Sequence, residues 1–150
     1  MEQKPDMVID VATLTGACMV AVGETHSGLW SNREALADSL MEAAKKSGEG
    51  LVRFPLPEEY KAGIVSRVAD LRNIPVSRFG DAIAAALFLQ EFVGETAWAH
   101  LDIAGPVHLD SAILPLPLSG EEPGRHQLGL VLTSRYRKNL FAGVVVNVNC

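Results

Sequence analysis

The sequence contains few cysteines and no long apolar run. Only Cys18 and Cys150 occur among its 150 residues, which is too few for a disulfide framework, so we expect both to be free thiols. The longest apolar stretches, near residues 82–89 and 140–146, are much shorter than the roughly 20 residues that cross a bilayer. The polar N-terminus lacks the apolar segment of a signal peptide. We therefore expect a cytoplasmic protein with no membrane partner.

The sequence also lacks an excess of basic residues. Thirteen Lys and Arg are outnumbered by eighteen Asp and Glu, so the net charge is −5. A nucleic-acid-binding surface needs the opposite sign, and nucleic acid is therefore not an expected partner. The apolar share of 48% and the charged share of 21% are typical of a soluble globular protein. The length fits one domain or a piece of a larger one.

Strand and helix patterns alternate along the first two-thirds of the chain. The β-branched run at residues 7–11 predicts a strand buried on both faces, and residues 27–31 and 98–103 predict two more strands. The small-residue segment 17–22 predicts a short helix that ends at Gly23. This alternation predicts an α/β fold with a mixed, largely parallel sheet flanked by helices.

Two stronger helices are predicted between these strands. Ser31 to Glu34 has the spacing of a capping box, in which Glu34 would reach back to the backbone of Ser31. The helix that follows would end at Gly48 and would bury one apolar stripe, formed by Leu36, Leu40, Met41 and Ala44. The segment 81–93 is apolar almost all round, so it predicts a buried helix. A short helix at 58–65 and a loop at 69–77 lie between the two.

Several motifs, in order, resemble the leucyl (cytosol) aminopeptidase family. Residues 10–17 read DVATLTGA and residues 98–105 read WAHLDIAG, and between them 54–56 (FPL), 69–71 (ADL) and 82–89 (AIAAALFL) follow in the family's order. The resemblance covers residues 4–107 and identifies the C-terminal part of the family's catalytic domain. It divides the chain into a partial peptidase domain at 1–107 and a divergent tail at 108–150.

The resemblance implies a metallo-aminopeptidase that releases N-terminal amino acids from peptides and assembles as a homo-oligomer, a hexamer in the family. Family members use two divalent metal ions, zinc or manganese, to activate water and polarise the scissile carbonyl. The ligand motif Asn-Thr-Asp-Ala-Glu-Gly-Arg has no counterpart in this sequence, and neither Asp6 nor Asp10 matches a ligand position. We therefore expect a fragment truncated before the metal ligands, with Met1 an internal methionine, and inactive by itself.

The substrate side of the family's site does carry over to this chain. Residues 13–16 match the loop that lines the peptide-binding cleft, in which the Leu14 backbone accepts a hydrogen bond from the substrate. Ala104 and Val107 match positions that shape the pocket for the N-terminal side chain, and an apolar pocket suits leucine. The predicted substrate-binding residues are Thr13, Leu14, Thr15, Gly16, Ala104 and Val107. No catalytic or metal-ligating residue is assigned.

Simpler roles stay open for several of these residues. Thr13 and Thr15 could satisfy backbone groups at the end of a strand, and Ala104 and Val107 could belong to the core. Asp102 lies within a predicted strand, where a carboxylate needs a partner, so a structural role is favoured. A non-catalytic subunit that docks within an aminopeptidase oligomer is an alternative for the whole chain. A generic small-molecule-binding α/β module is a third.

The remaining reactive residues receive structural interpretations. His26 and His100 could bind a metal in principle, but no second ligand stands beside either at a suitable spacing. Cys18, in an apolar segment, is expected to be an inert thiol. Asp81 stands where the family tends to have a small residue, and it could serve as the acidic group at a helix N-terminus. The β-prone segment 140–146 is an aggregation risk if exposed.

Overall fold

The computed structural model describes residues 5–107 and the backbone of Val145–Val146. The five strands are β1 (Met7–Ala12), β2 (His26–Ser31), β3 (Gly50–Arg53), β4 (Ala97–Asp102) and β5 (Val145–Val146). The α-helices are α1 (Gly16–Val22), α2 (Glu34–Ser47), α3 (Asp81–Gln90) and α4 (Ala104–Val107), and a 3₁₀ helix spans Glu58–Ile64. Apart from β5, the predicted tail at 108–150 lies outside the described residues.

All five strands form one sheet in the order β3-β2-β4-β1-β5. Strand β1 pairs in parallel with both β4 and β5, and β2 pairs in parallel with β3. Only the β2–β4 pair is antiparallel. The prediction of a mixed, largely parallel sheet with flanking helices is therefore confirmed. The expectation that β1 is buried on both faces is wrong, since all six of its residues are only half-buried. Within this pairing, Val145 lies opposite Asp10 and Val146 lies opposite Val11.

Helix α2 forms because its apolar side chains recur at helical spacing and pack on the sheet. Its fully or nearly fully buried residues are Leu36, Ala37, Leu40, Ala43 and Ala44. It ends at Gly48, whose φ of 80° lies in the left-handed region that glycine adopts without a steric cost. Together with Leu29, Ala99 and Leu101, the helix forms an apolar core on one face of the sheet.

The predicted capping box at the start of α2 is wrong. Arg33 occupies the N-cap position and no side chain caps the helix there. The Ser31 hydroxyl instead donates to the carbonyl of Trp98, 2.6 Å away, and the Glu34 carboxylate accepts a hydrogen bond from Arg53. Each side chain therefore bonds to a residue on another strand. The Ser31 oxygen also accepts a hydrogen bond from the backbone N–H of Arg33 at 3.2 Å, and not from that of Glu34, which a capping box requires.

Helices α1 and α3 cover the opposite face of the sheet. Helix α3 starts at Asp81, which confirms the acidic residue in its first turn, and it buries residues 84–87. Gly80 precedes it at a φ of 69°, and a Cβ there would lie only 1.9 Å from the Tyr60 ring, so the position requires glycine. The helix ends at Gln90, three residues before the predicted end, and turns follow. None of the described helices is long and apolar enough to cross a membrane.

Candidate functional site

Two loops lie next to each other where β1 and β4 end. The two strands are parallel and in register from Met7 opposite Ala97 to Ala12 opposite Asp102. Because the carboxyl ends of parallel strands meet at one edge of the sheet, the residues that follow Ala12 and Asp102 emerge together. The backbone N–H of Ile103 donates to the Ala12 carbonyl at 2.9 Å and continues the pairing beyond the strands. The DVATLTGA and WAHLDIAG motifs are thus brought to one place.

The carboxylate of Asp102 holds both loops. Its side chain is 1% exposed. It accepts hydrogen bonds from the backbone N–H groups of Leu14 (3.0 Å), Thr15 (3.0 Å) and Ala104 (3.1 Å), and from the Thr15 hydroxyl (2.8 Å). A buried carboxylate is costly unless such donors surround it. The structural role of Asp102 is therefore to join the two loops that carry the predicted substrate-binding residues.

Thr15 links this carboxylate to helix α1. Its backbone is extended, and its hydroxyl accepts a hydrogen bond from the backbone N–H of Cys18 at 3.0 Å, which makes it the N-cap of the helix. The same hydroxyl donates to Asp102. The simpler role for Thr15, satisfying backbone groups after a strand, is thus realised in the structure.

Cys18 is buried beneath the loop as a free thiol. Burial, with a smaller contribution from the nearby negative charge of Asp102, raises the pKa of the Cys18 thiol to about 11. The reactive thiolate is therefore scarce at neutral pH, in agreement with the expected inert thiol.

The six predicted substrate-binding residues differ in accessibility. Thr13, Leu14 and Gly16 are exposed, Thr15 is buried and Ala104 is half-buried. A Cβ on Gly16 would meet no atom within 4 Å, so open space lies beside this residue. Val107 is 55% exposed at the end of α4. The sequence predicts only the end of a strand near this point and does not predict the short helix α4. Asp102 thus binds the backbone of Leu14, Thr15 and Ala104, whereas Thr13, Gly16 and Val107 flank these contacts.

A second carboxylate, Asp10, lies on the same face of the neighbouring strand. It accepts hydrogen bonds from the indole N–H of Trp98 (2.6 Å) and from Nδ1 of His100. His100 is fully buried, and its Nε2 has no hydrogen-bond partner among the described residues. His26 is exposed and contacts the hydroxyl of Thr25. The structural role favoured for His100 is consistent with this network, which ties β1 to β4.

An apolar groove of about 410 Å³ borders the exposed part of the loop. Thr13 and Leu14 line one part of it, and Leu89, Phe92 and Trp98 line another. Its size is within the range of small-molecule sites. Ala104 and Val107 do not line this groove. A larger groove of about 640 Å³ lies near Asn32 and Phe54, at the opposite edge of the sheet, and none of the predicted site residues lines it.

The described residues do not fit a pair of metal ions. Among residues 5–107, no group of three or more His, Cys, Asp or Glu side chains is close enough to hold one ion. Both oxygens of Asp10 accept hydrogen bonds, and so do both oxygens of Asp102. Neither carboxylate therefore has an oxygen without a hydrogen bond to offer a metal.

Comparison with known proteins identifies the family of this chain. Residues 1–119 match the model of the cytosol aminopeptidase family, catalytic domain. The chain belongs to this family. A probable cytosol aminopeptidase from Synechococcus sp. strain CC9902 is 59% identical over 110 residues, which are 73% of this chain and 22% of the relative. One from Brucella anthropi is 55% identical over 102 residues, covering 68% of this chain and 20% of the relative.

A solved structure also matches this family member. A tomato leucine aminopeptidase mutant superimposes with a TM-score of 0.68 at 47% identity, over 71% of this chain and 21% of that protein. This confirms the α/β fold and the resemblance to leucyl aminopeptidases. The chain spans about a fifth of the length of the relatives it matches.

Proposed function

We propose that this chain forms one wall of the substrate cleft of a metal-dependent aminopeptidase, a hydrolase that releases N-terminal amino acids from peptides. The observation that carries the proposal is the joint attachment of Leu14, Thr15 and Ala104 to one buried carboxylate. Membership of the cytosol aminopeptidase family supports the reaction class. The names of the relatives support a cytoplasmic location.

In this proposal the loop after β1 binds the peptide backbone. Leu14 is 37% exposed, and its carbonyl accepts a hydrogen bond from an N–H group of the substrate. Thr13 and Gly16 line the cleft beside it, and the open space at Gly16 leaves room for the substrate. Thr15 contributes through its backbone and through the cap that fixes the loop.

The second loop shapes the pocket for the N-terminal side chain. Ala104 lies beside Asp102, and Val107 presents an exposed apolar side chain one helical turn later. Apolar surfaces of this kind favour side chains such as leucine over charged ones, because an apolar pocket gives no compensation for a desolvated charge.

The family's two divalent ions, zinc or manganese, would supply the chemistry that activates water and polarises the scissile carbonyl. Because the described residues do not fit these ions and the family's ligand motif has no counterpart in the sequence, we propose that the ligands come from residues that this chain does not supply. The contribution of the described residues is to bind and orient the peptide.

Titration of the ¹⁵N-labelled chain with L-leucinamide tests the cleft. We expect the amide resonances of residues 13–16 and of Ala104, Gly105 and Val107 to shift saturably, and the amide of glutamic acid to bind more weakly. A parallel assay with leucine p-nitroanilide and manganese should show no turnover by this chain alone. Resonances that do not move would contradict the cleft, and turnover at the rate of a full-length relative would contradict the assignment of ligands elsewhere.

A second candidate function is that of a non-catalytic subunit or assembly partner within an aminopeptidase oligomer, which is a hexamer in the family. The observation that favours it is a set of exposed apolar side chains between the 3₁₀ helix and α3, namely Val65, Val68, Ile74, Val76 and Phe79. Mixing with a full-length relative followed by size-exclusion chromatography tests this function. Elution of the two proteins as separate species would argue against it.

A further inference from the structure

The loop after β1 has two successive peptide units that face the same way. The N–H groups of Leu14 and Thr15 both donate to the Asp102 carboxylate, each at 3.0 Å. No cis peptide bond occurs in the described residues, and in a planar trans peptide the C=O points opposite to the N–H. The carbonyls of Thr13 and Leu14 therefore point away from Asp102, and both residues are exposed.

We propose that Asp102 is a positioning residue for substrate, because it fixes the carbonyls of Thr13 and Leu14 as a pair of acceptors for N–H donors of the peptide. The proposal rests on the proposed function, in which this loop binds the substrate backbone. Two carbonyls aimed to one side accept from an ammonium or amide N–H group and repel a carboxylate. The acceptor pair thus selects the donor groups near the N-terminus of a peptide.

Four donors surround the Asp102 carboxylate, and their number explains why a carboxylate is needed at this position. A carboxylate offers about four lone-pair sites, which matches the three N–H groups and the Thr15 hydroxyl. An asparagine would keep one oxygen but would turn an NH₂ group towards at least one of these donors. At 1% exposure there is little access for water to replace the lost acceptor. The orientation of the loop therefore depends on the charged, acceptor-only group.

Asp10 provides a matched control on the adjacent strand. It is also a carboxylate on the same face of the sheet, but its donors are the side chains of Trp98 and His100. Neither donor belongs to the loops at residues 13–16 and 104–107. Replacement of Asp10 should disturb the packing of β1 on β4 while the two loop carbonyls keep their direction.

The test compares L-leucinamide binding to the full chain, Asp102→Asn and Asp10→Asn by ¹⁵N–¹H NMR. The loss of a charge-assisted hydrogen bond predicts roughly tenfold weaker binding for Asp102→Asn. Binding to Asp10→Asn should stay within about twofold of the full chain. Faster amide exchange at Leu14 and Thr15 in Asp102→Asn alone would show that the loop has lost its orientation while the fold persists.

The outcomes separate the two proposals. Wild-type binding that persists unchanged in a folded Asp102→Asn variant would overturn the positioning role and leave the proposed function standing. Absence of binding to the wild-type chain would overturn the proposed function, and the positioning role with it. Equal weakening in both variants would assign the effect to general loss of stability and would also overturn the positioning role.

A pair of Thr15 variants decides the question if Asp102→Asn does not fold. Thr15→Ser keeps the hydroxyl that donates to Asp102 and caps α1, whereas Thr15→Val removes it at nearly the same volume. We expect Thr15→Ser to bind L-leucinamide within about twofold of the wild-type chain, and Thr15→Val to bind several-fold more weakly. Wild-type affinity in a folded Thr15→Val variant would overturn the proposal.

Discussion

The two faces of the sheet are built from different kinds of side chain. The face under α2 is packed with aliphatic residues, among them Leu29, Leu40 and Leu101, each fully buried. The face under α1 and α3 contains apolar residues too, but it also carries Asp10, His100 and Asp102. Asp10 on β1 accepts hydrogen bonds from side chains on β4, including His100, and Asp102 accepts hydrogen bonds from the loops that follow the two strands. Residues 98, 100 and 102 of β4 point to this second face and residues 99 and 101 to the first.

The two faces therefore have different roles: the face under α2 stabilises the fold, and the polar face orients the loop backbone. Aliphatic packing stabilises the fold without fixing the direction of any polar group, since the hydrophobic effect is non-directional. Hydrogen bonds to a buried carboxylate have defined directions, and they set the loop backbone at Leu14 and Thr15. If this division holds, substitutions under α2 should change stability and not binding.

The largest effect is expected for Leu40→Ala, which opens a cavity under α2. Leu40 is fully buried, and truncations of this kind cost about 2–5 kcal/mol in the free energy of unfolding. Urea denaturation followed by circular dichroism measures the loss. Val68→Ala, at a side chain that is 97% exposed, is the control and should change the free energy by less than about 0.5 kcal/mol.

The comparison of the two faces also predicts how Leu40→Ala affects ligand binding. The folded fraction of the variant should bind L-leucinamide with wild-type affinity, because the residue has no part in the hydrogen bonds of Asp102. A large loss of affinity would show that the apolar face also sets the loop orientation, and the separation of the two faces would be wrong.

The next-largest effect on the free energy of unfolding is expected on the polar face, where two buried tryptophans can be compared. Trp98 donates its indole N–H to Asp10, whereas the indole nitrogen of Trp30 has no hydrogen-bond partner among the described residues. Trp98→Phe should therefore lower the free energy of unfolding by about 1.5–3 kcal/mol more than Trp30→Phe. Denaturation followed by circular dichroism measures both. Equal losses would show that the hydrogen bond to Asp10 adds nothing to the stability of this face.

The apolar face is also the part that the sequence predicts well. Leu36, Leu40 and Ala44 recur at helical spacing, and Gly48 marks the end of α2 as predicted. These signals are local, because one turn of helix brings the relevant residues together. The alternation of strands and helices likewise predicts the α/β class, and the ordered motifs identify the family.

The polar face depends on contacts between residues that are far apart in the sequence, and such contacts cannot be predicted from local patterns. Asp102 and its donor Thr15 are 87 residues apart, and nothing in either segment specifies the other as a partner. The only local signal is the acidic residue within a strand, which requires a partner without naming it. The capping-box prediction failed for the same reason, since Glu34 bonds to Arg53 on β3. The antiparallel pairing of β2 with β4 also depends on the whole fold.

A smaller effect distinguishes two glycines at helix ends on the two faces. Gly48 ends α2 at a φ of 80°, so Gly48→Ala should cost about 1 kcal/mol in the free energy of unfolding. Gly16 begins α1 without a positive φ and beside open space, so Gly16→Ala should leave stability unchanged and weaken L-leucinamide binding. Thermal unfolding and the NMR titration measure the two effects. Stability loss in Gly16→Ala would show that this glycine serves the fold and not the cleft.

The smallest effect is expected at the exposed rim of the α2 face, where Glu34 pairs with Arg53. The hydrogen bond from Arg53, together with its positive charge, lowers the pKa of the Glu34 carboxyl below its ordinary value. A carboxyl with a lowered pKa in the folded state stabilises the fold above the ordinary glutamate pKa of about 4.3. That stabilisation is lost as the pH falls through the lowered folded-state pKa.

Glu34→Gln should accordingly lower the thermal midpoint slightly at neutral pH, and the difference from the wild-type chain should vanish in acid below the glutamate range. High salt should reduce the difference at neutral pH, because the pair is exposed to solvent. Glu59→Gln, at another exposed glutamate, is the control for a lost surface charge. A difference that persists at the lowest pH would mean that Glu34 stabilises α2 through packing and not through its charge, so the rim would then behave like the apolar face beneath it.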